Sequence, residues 1–147
     1  MIAIFLINSI IVAIAVMLHA QILGWLAVWV PKLGIAPKVK IVLSVFGIIV
    51  AHTMEVWLFA LAYFGLISFG NIGSISGNFD GSLMDCSYFS FTTFTTLGVG
   101  DIEPMGHIRF LVGLEALAGL VLITWSASFL YLEMRRFRGD EKPGRQN

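Results

Sequence analysis

Three long apolar stretches, at about residues 2–30, 41–69 and 108–132, constrain this chain more than any other feature. Each exceeds the roughly 20 residues a helix needs to cross a bilayer core. Inside lipid the backbone must satisfy its own polar groups, so such stretches fold as helices. Composition agrees: 58% of the 147 residues are hydrophobic and 12% are charged, where a soluble domain carries roughly 25% charged residues. The mean hydropathy is +0.90. A cleaved signal peptide is a poor reading of the N-terminus, because no basic residue precedes the first stretch and the stretch is too long. A fourth stretch, residues 83–99, is Thr-rich, broken by glycine and too short to span, so it is expected to be re-entrant.

Nine basic residues balance nine acidic ones, but their positions are lopsided. Lys32, Lys38 and Lys40 lie between the first two spans, and Arg135, Arg136, Arg138, Lys142 and Arg145 follow the third. Arg109 stands apart at the start of that span. The positive-inside rule then predicts an outward N-terminus and a cytoplasmic C-terminus, in a multi-pass plasma (inner) membrane protein. Asp80, Asp85, Asp101 and Glu103 fall in the outward region from Asn71 to His107, where they would either concentrate cations or serve as solvated loop residues. The lone Cys86 excludes an intrachain disulfide framework. Residues 139–147 read as a disordered polar tail, and nothing suggests a nucleic-acid partner.

The segment between the second and third spans carries the chemistry. Ser82 or Asp85 can cap a short helix of about three turns, which runs to Thr95. Thr96-Leu97-Gly98-Val99-Gly100-Asp101 follows, with glycine at alternate positions, and Pro104 is expected to start the next helix. Non-helical backbone at membrane depth is tolerated only where protein buries it or water hydrates it, so this order implies a pore. Carbonyls of Thr96, Leu97, Gly98 and Val99 could replace the hydration shell of a monovalent cation, with the Thr96 hydroxyl adding an oxygen. The negative C-terminal end of the short helix would favour that cation.

The run from Tyr88 to Asp101 resembles the pore helix and T-V-G-Y-G-D filter of the potassium-channel family, in a small prokaryotic-type subunit. Arg109, Glu115 and Gly119 continue the likeness. The resemblance implies a mostly hidden plan: an all-α membrane protein of three transmembrane helices per subunit, a re-entrant pore helix and filter between the second and third, and a four-fold homotetramer in the lipid bilayer. Residues 1–31 would then be a peripheral helix, 32–40 a cytoplasmic loop, and 41–70 the outer pore-domain helix. Residues 71–106 would be the extracellular loop, pore helix and filter, 107–135 the inner pore-lining helix, and 136–147 the cytoplasmic tail. It further implies ion binding by Thr96, Leu97, Gly98, Val99 and Gly100, with Asp101, Tyr88, Thr92, Thr95 and Glu115 supporting the filter. Two departures matter. Val99 stands where the family usually has Tyr or Phe, and Leu97 where Val is common; the carbonyl ladder is backbone and survives both. Potassium is the expected transported ion, with sodium as the rival and no other cofactor.

Ionisable residues at mid-bilayer cost about 2.5–3.5 kcal/mol on insertion scales, so each needs a reason. His52 and Glu55 share one face of the second span, as a proton-sensitive or a packing pair that could reach Glu115 or a backbone carbonyl. One His and one Glu fall short of the three protein ligands of a metal site. His19 and Gln21 are expected to bind another helix or a lipid headgroup. Arg109 either pairs with Glu103 or Asp101 or anchors at the interface. Gly113 and Gly119 could form an inner-helix hinge or pack closely. Thr124, Ser126 and Ser128 could wet a cavity or bond back to their own helix. Trp25, Trp29, Trp57 and Trp125 read as lipid or packing aromatics.

Three function classes follow: a cation channel, a non-conducting ion sensor of the same fold, and an intramembrane enzyme. The last lacks any HExxH or GxSxG arrangement. No span carries an arginine ladder, so a built-in voltage sensor is excluded, and the short tail leaves no room for a ligand-binding domain. Protons, tension or a regulatory subunit stay open as gating agents.

Overall fold

The computed structural model describes residues 2–69 and 73–139, with side chains at 5–68 and 73–136. Asn71 and residues 140–147, including Lys142 and Arg145, lie outside the described residues, while Gly139, expected to open a disordered tail, ends the last helix. Four helices carry the chain: α1 (Ile2–Trp29), α2 (Pro37–Phe69), α3 (Leu83–Phe94) and α4 (Ile108–Gly139). Three of them are long and apolar enough to cross a membrane, over Phe5–Lys32, Pro37–Ser68 and Ile108–Arg136.

A 3-10 turn at Val30–Lys32 ends α1, and Leu33 leaves it extended. Proline then opens α2 at Pro37, where its missing N–H costs nothing and its fixed φ suits the first helical turn. The helix therefore starts four residues before the apolar stretch at Ile41, and Lys38 and Lys40 ride on it rather than in the loop. Lys40 Nζ donates to the Pro31 carbonyl at 2.9 Å and ties the turn down.

The chain is not wholly helical. Strand β1 (Gly73–Gly77) pairs antiparallel with β2 (Ile102–Gly106), from Gly73 opposite Gly106 to Gly77 opposite Ile102. Pro104 sits inside β2 and does not open the last helix, which begins at Ile108. Proline is tolerated there because a two-stranded ribbon leaves every strand an edge. The ribbon clamps both ends of the α3 segment together.

Ser82 caps α3: its Oγ accepts from the Asp85 amide at 3.1 Å. Asp85 Oδ2 in turn accepts from the Asp80 amide, and Asp80 Oδ1 from the Ser82 amide, both at 2.7 Å. The Ser82 amide first, and then its hydroxyl, hold the Asp80 carboxyl below its ordinary pKa. The cap is thus complete at neutral pH and weakens only as acid protonates Asp80.

The core lies where α2, α3 and α4 meet. Glu55, Phe59 and Tyr63 recur every fourth residue on α2, and Ile108, Leu111, Glu115, Ala118 and Leu122 form the facing stripe on α4; all are buried. Phe89 and Phe94 of α3 fill the space between. Helix α1 packs on α2 and α4. Its buried stripe is Asn8, Ala15, His19 and Leu23, while Phe5, Ile10, Met17 and Trp25 face outward. Such apolar outer faces suit lipid or neighbouring subunits.

Gly119 fixes how close α4 comes to α3. A Cβ there would lie 2.1 Å from the Phe94 carbonyl oxygen, whereas one at Gly113 would meet nothing within 4 Å. Close packing against α3 is what Gly119 supplies in this continuous helix. Gly119→Val should therefore destabilise by about 1–3 kcal/mol through overpacking, and Gly113→Ala should be neutral or stabilising. Thermal unfolding of the detergent-solubilised protein measures both.

Candidate functional site

The site begins where α3 stops. Thr95 closes the helix, with its amide reaching Phe91 O at 3.2 Å and its Oγ1 reaching the same carbonyl at 2.7 Å. The Gly98 amide folds back to Thr92 O at 3.1 Å. Beyond it the backbone enters the left-handed region at alternate residues: φ is 58° at Thr96, 53° at Gly98 and 85° at Gly100. Glycine adopts this freely, but Thr96 is β-branched and the only non-glycine with positive φ among the described residues. Strain of that kind persists only where the surroundings enforce it, and it gathers at ligand-binding backbone. Alternating hand also turns successive peptide planes toward one side, which groups the N–H on one flank and the carbonyls on the other.

Leu97 and Val99 are 68% and 56% exposed, so this strand lies on the surface of the single subunit. Behind it, Tyr88 OH donates to both carboxylate oxygens of Asp101, at 3.3 and 3.2 Å. Local desolvation first, and the Asp101 carboxylate second, raise the Tyr88 phenol above its ordinary pKa, so it stays a donor. Asp101 O accepts from the Asn78 amide at 3.0 Å, tying the strand's end to β1. Thr92 Oγ1 is spent within α3, on Phe89 O at 2.9 Å. Burial pushes the Cys86 thiol up to about 11, which leaves it unreactive.

Two buried polar knots hold α3 in place. In the first, Tyr63 of α2 and Ser90 of α3 both bond Glu115 of α4, and Ser90 Oγ also lies 2.9 Å from Val56 O. Ser90 has one proton and two acceptors in reach, so every bond is met when Glu115 carries a proton and donates to Ser90. Glu115 thus ties α4 to α2 and α3 and bonds neither His52 nor Glu55, the alternative the sequence had left open.

The second knot surrounds Glu55. His52 Nδ1 lies 2.9 Å from Oε2, and His19 Nδ1 of α1 lies 2.7 Å from Oε1. Ser126 of α4 sits beside both Nε2 atoms, at 3.3 Å from His19 and 3.1 Å from His52. The pair read from sequence is really four residues from three helices. His19 could have been suspected from its place in the buried α1 stripe; Ser126 gave no signal, since Thr124 and Ser128 on the same helix simply bond back to Leu120 O and Thr124 O. Among the described residues Arg109 is exposed and forms no ion pair with Asp101 or Glu103.

Two long apolar helices with a short capped helix and an exposed, alternately handed segment between them define the class: a membrane channel. The profile described as "Ion channel" matches residues 39–135, about two thirds of the chain, and the chain belongs to that family. Over 80 residues it is 38% identical to the inward rectifier potassium channel Kirbac3.1 of Paramagnetospirillum magnetotacticum. Those residues make up 54% of this chain and 25% of the relative, so the match spans a quarter of that protein's length. No solved structure matches the chain significantly.

Tyr63→Phe removes one of the bonds to Glu115 and should cost about 1–2 kcal/mol. Its thermal midpoint should fall, while Tyr131→Phe, on an exposed face of α4, should leave the midpoint unchanged.

Proposed function

We propose that four copies of this chain assemble in the plasma (inner) membrane as a passive, potassium-conducting cation channel. The observation that carries this reading is the alternation of positive φ at Thr96, Gly98 and Gly100 on an exposed strand. It gives each subunit one ladder of carbonyls, and four ladders around an axis suffice to replace the water of a dehydrated monovalent cation. Thr96, Leu97, Gly98 and Val99 supply the carbonyls, Thr96 adds its hydroxyl, and Gly100 ends the ladder. Tyr88, Asp101, Thr92, Thr95 and Glu115 hold the ladder from behind. The C-terminal end of α3 contributes the negative end of its dipole.

In this assembly α4 lines the pore, α2 lies outside it and α1 is peripheral, with α3 re-entrant between them. The basic residues favour an outward N-terminus and a cytoplasmic C-terminus. The potassium-channel relative supports potassium over other cations. Val99 supports a second reading, a weakly selective sodium and potassium pore. It is more than half exposed on the subunit and has no hydroxyl with which to bond behind the filter.

Reconstitution in liposomes under opposed potassium and sodium gradients tests both readings. A reversal potential near that of potassium, with flux lost in Gly98→Ala, is the expected result. Gly98→Ala acts because φ of 53° strains any side-chained residue. Equal permeation by the two ions, sharpened toward potassium by Val99→Tyr, would select the second reading. Absence of flux over a range of pH and tension would leave the non-conducting sensor.

A further inference from the structure

His19, His52, Glu55 and Ser126 meet just beyond the end of α3, where the His52 ring lies 5.6 Å from that of Phe94, the last residue of the helix. Both imidazoles present the same edges: each turns Nδ1 to Glu55 and Nε2 to Ser126. The two rings stack, with centroids 5.2 Å apart and planes inclined by 29°. His19 and Glu55 are fully buried.

We propose that this cluster is a binding site for a divalent transition-metal ion of the zinc class, held by Nδ1 of His19, Nδ1 of His52 and the carboxylate of Glu55. The ligand set is two imidazoles and one carboxylate, which suits zinc and its first-row neighbours and meets the need for three protein ligands. One ligand atom from each of the three lies within 4.8 Å of the other two. Donors at about 2.1 Å from a shared tetrahedral ion stand roughly 3.4 Å apart. The present spacings, 2.7 Å from His19 to Oε1 and 2.9 Å from His52 to Oε2, fall short of that by about 0.5–0.7 Å.

Ser126 completes the argument. With the ion on Nδ1, each imidazole carries its proton on Nε2, and the two lone pairs of Ser126 Oγ accept both. An outer acceptor that fixes the tautomer of each histidine is the arrangement metal-ligating histidines require. Charge is favourable as well. Glu55 offsets one of the two charges, and the negative end of the α3 dipole adjoins the remainder. A cavity of about 170 Å³, walled by His52, Thr53, Phe91, Phe94 and Thr95, offers an approach from the partly exposed His52 side.

The other elements packed here, α3 and the rest of α1 and α4, turn Phe94 and Trp125 rather than titratable groups toward the rings. The site stands whether or not the pore conducts, so its test is independent of flux.

Full-length protein purified without a polyhistidine tag is titrated with Co²⁺ in detergent and then challenged with Zn²⁺. The expected result is one ion per subunit and visible ligand-field bands that Zn²⁺ abolishes. His19→Gln and Glu55→Gln should each lower affinity by about 100-fold or more, and Ser126→Ala by about 10-fold, within the range for outer-shell partners. His107→Gln, at an exposed position in the outer region, should change nothing. His52→Cys should keep the site and add a thiolate-to-cobalt charge-transfer band, which no packing role would produce. Absence of a saturable cobalt band in folded protein would overturn the proposal, as would metal content indifferent to His19→Gln and Glu55→Gln. Where those variants fail to fold, a missing charge-transfer band in His52→Cys overturns it equally.

Discussion

The carboxyl group of Glu115 has no solvent to turn to, and its two partners come from two different helices. Tyr63 on α2 and Ser90 on α3 therefore have to converge on α4. In an apolar surrounding the alternative is an unmet polar group costing several kcal/mol, so this knot sets the register of the three helices against one another. Everything at the site follows from where it places α3. Ser90 lies in the middle of that helix; its capped start is tied to Asp80, and its last residue, Phe94, rests its carbonyl on Gly119.

That placement explains how a strained strand survives. Thr96 at positive φ has a local cost, and the surrounding bonds over-determine it. The Gly98 amide is held by Thr92 O before it, and Asp101 is held after it by Tyr88 and the Asn78 amide. The β1–β2 ribbon closes the same loop from outside the helical layer. A segment anchored at both ends can hold its carbonyls ready without a ligand to organise them. In the proposed filter this is the preorganisation that lets protein oxygen take the place of water.

The ring around Glu55 does on the other side of Phe94 what Glu115 does on the α3 side: it joins helices through polar atoms that lipid cannot serve. Here the third helix is α1, which has no polar partner to the α3 layer among the described contacts. Its attachment rests on a largely apolar buried stripe, on His19, and on Arg136 Nη1, which donates to Ala27 O at 3.4 Å. A change of ligand or proton at this ring is therefore felt where α1, α2 and α4 meet, next to the C-terminal end of α3.

Much of the architecture was legible in the chain. The three spans are set by length and hydropathy, because nothing but a helix can carry an apolar run of that size through lipid. The short helix before Thr96 and its Ser82 cap follow from local order in sequence, since each involves groups brought together by one helix and one turn, whereas Tyr88 and Asp101 were singled out by the family resemblance. The β1–β2 ribbon was missed because a five-residue Gly/Ser strand has no hydrophobic alternation to announce it, and Pro104 then read as a helix start. The sequence could place His52 beside Glu55, three residues apart on one helix, and expect His19 to bind another helix, but it could not name Tyr63 and Ser90 as the partners of Glu115 or join His19 and Ser126 to Glu55. Those assignments join residues 25 to 107 positions apart. They depend on how helix faces turn toward one another, which packing decides and composition does not.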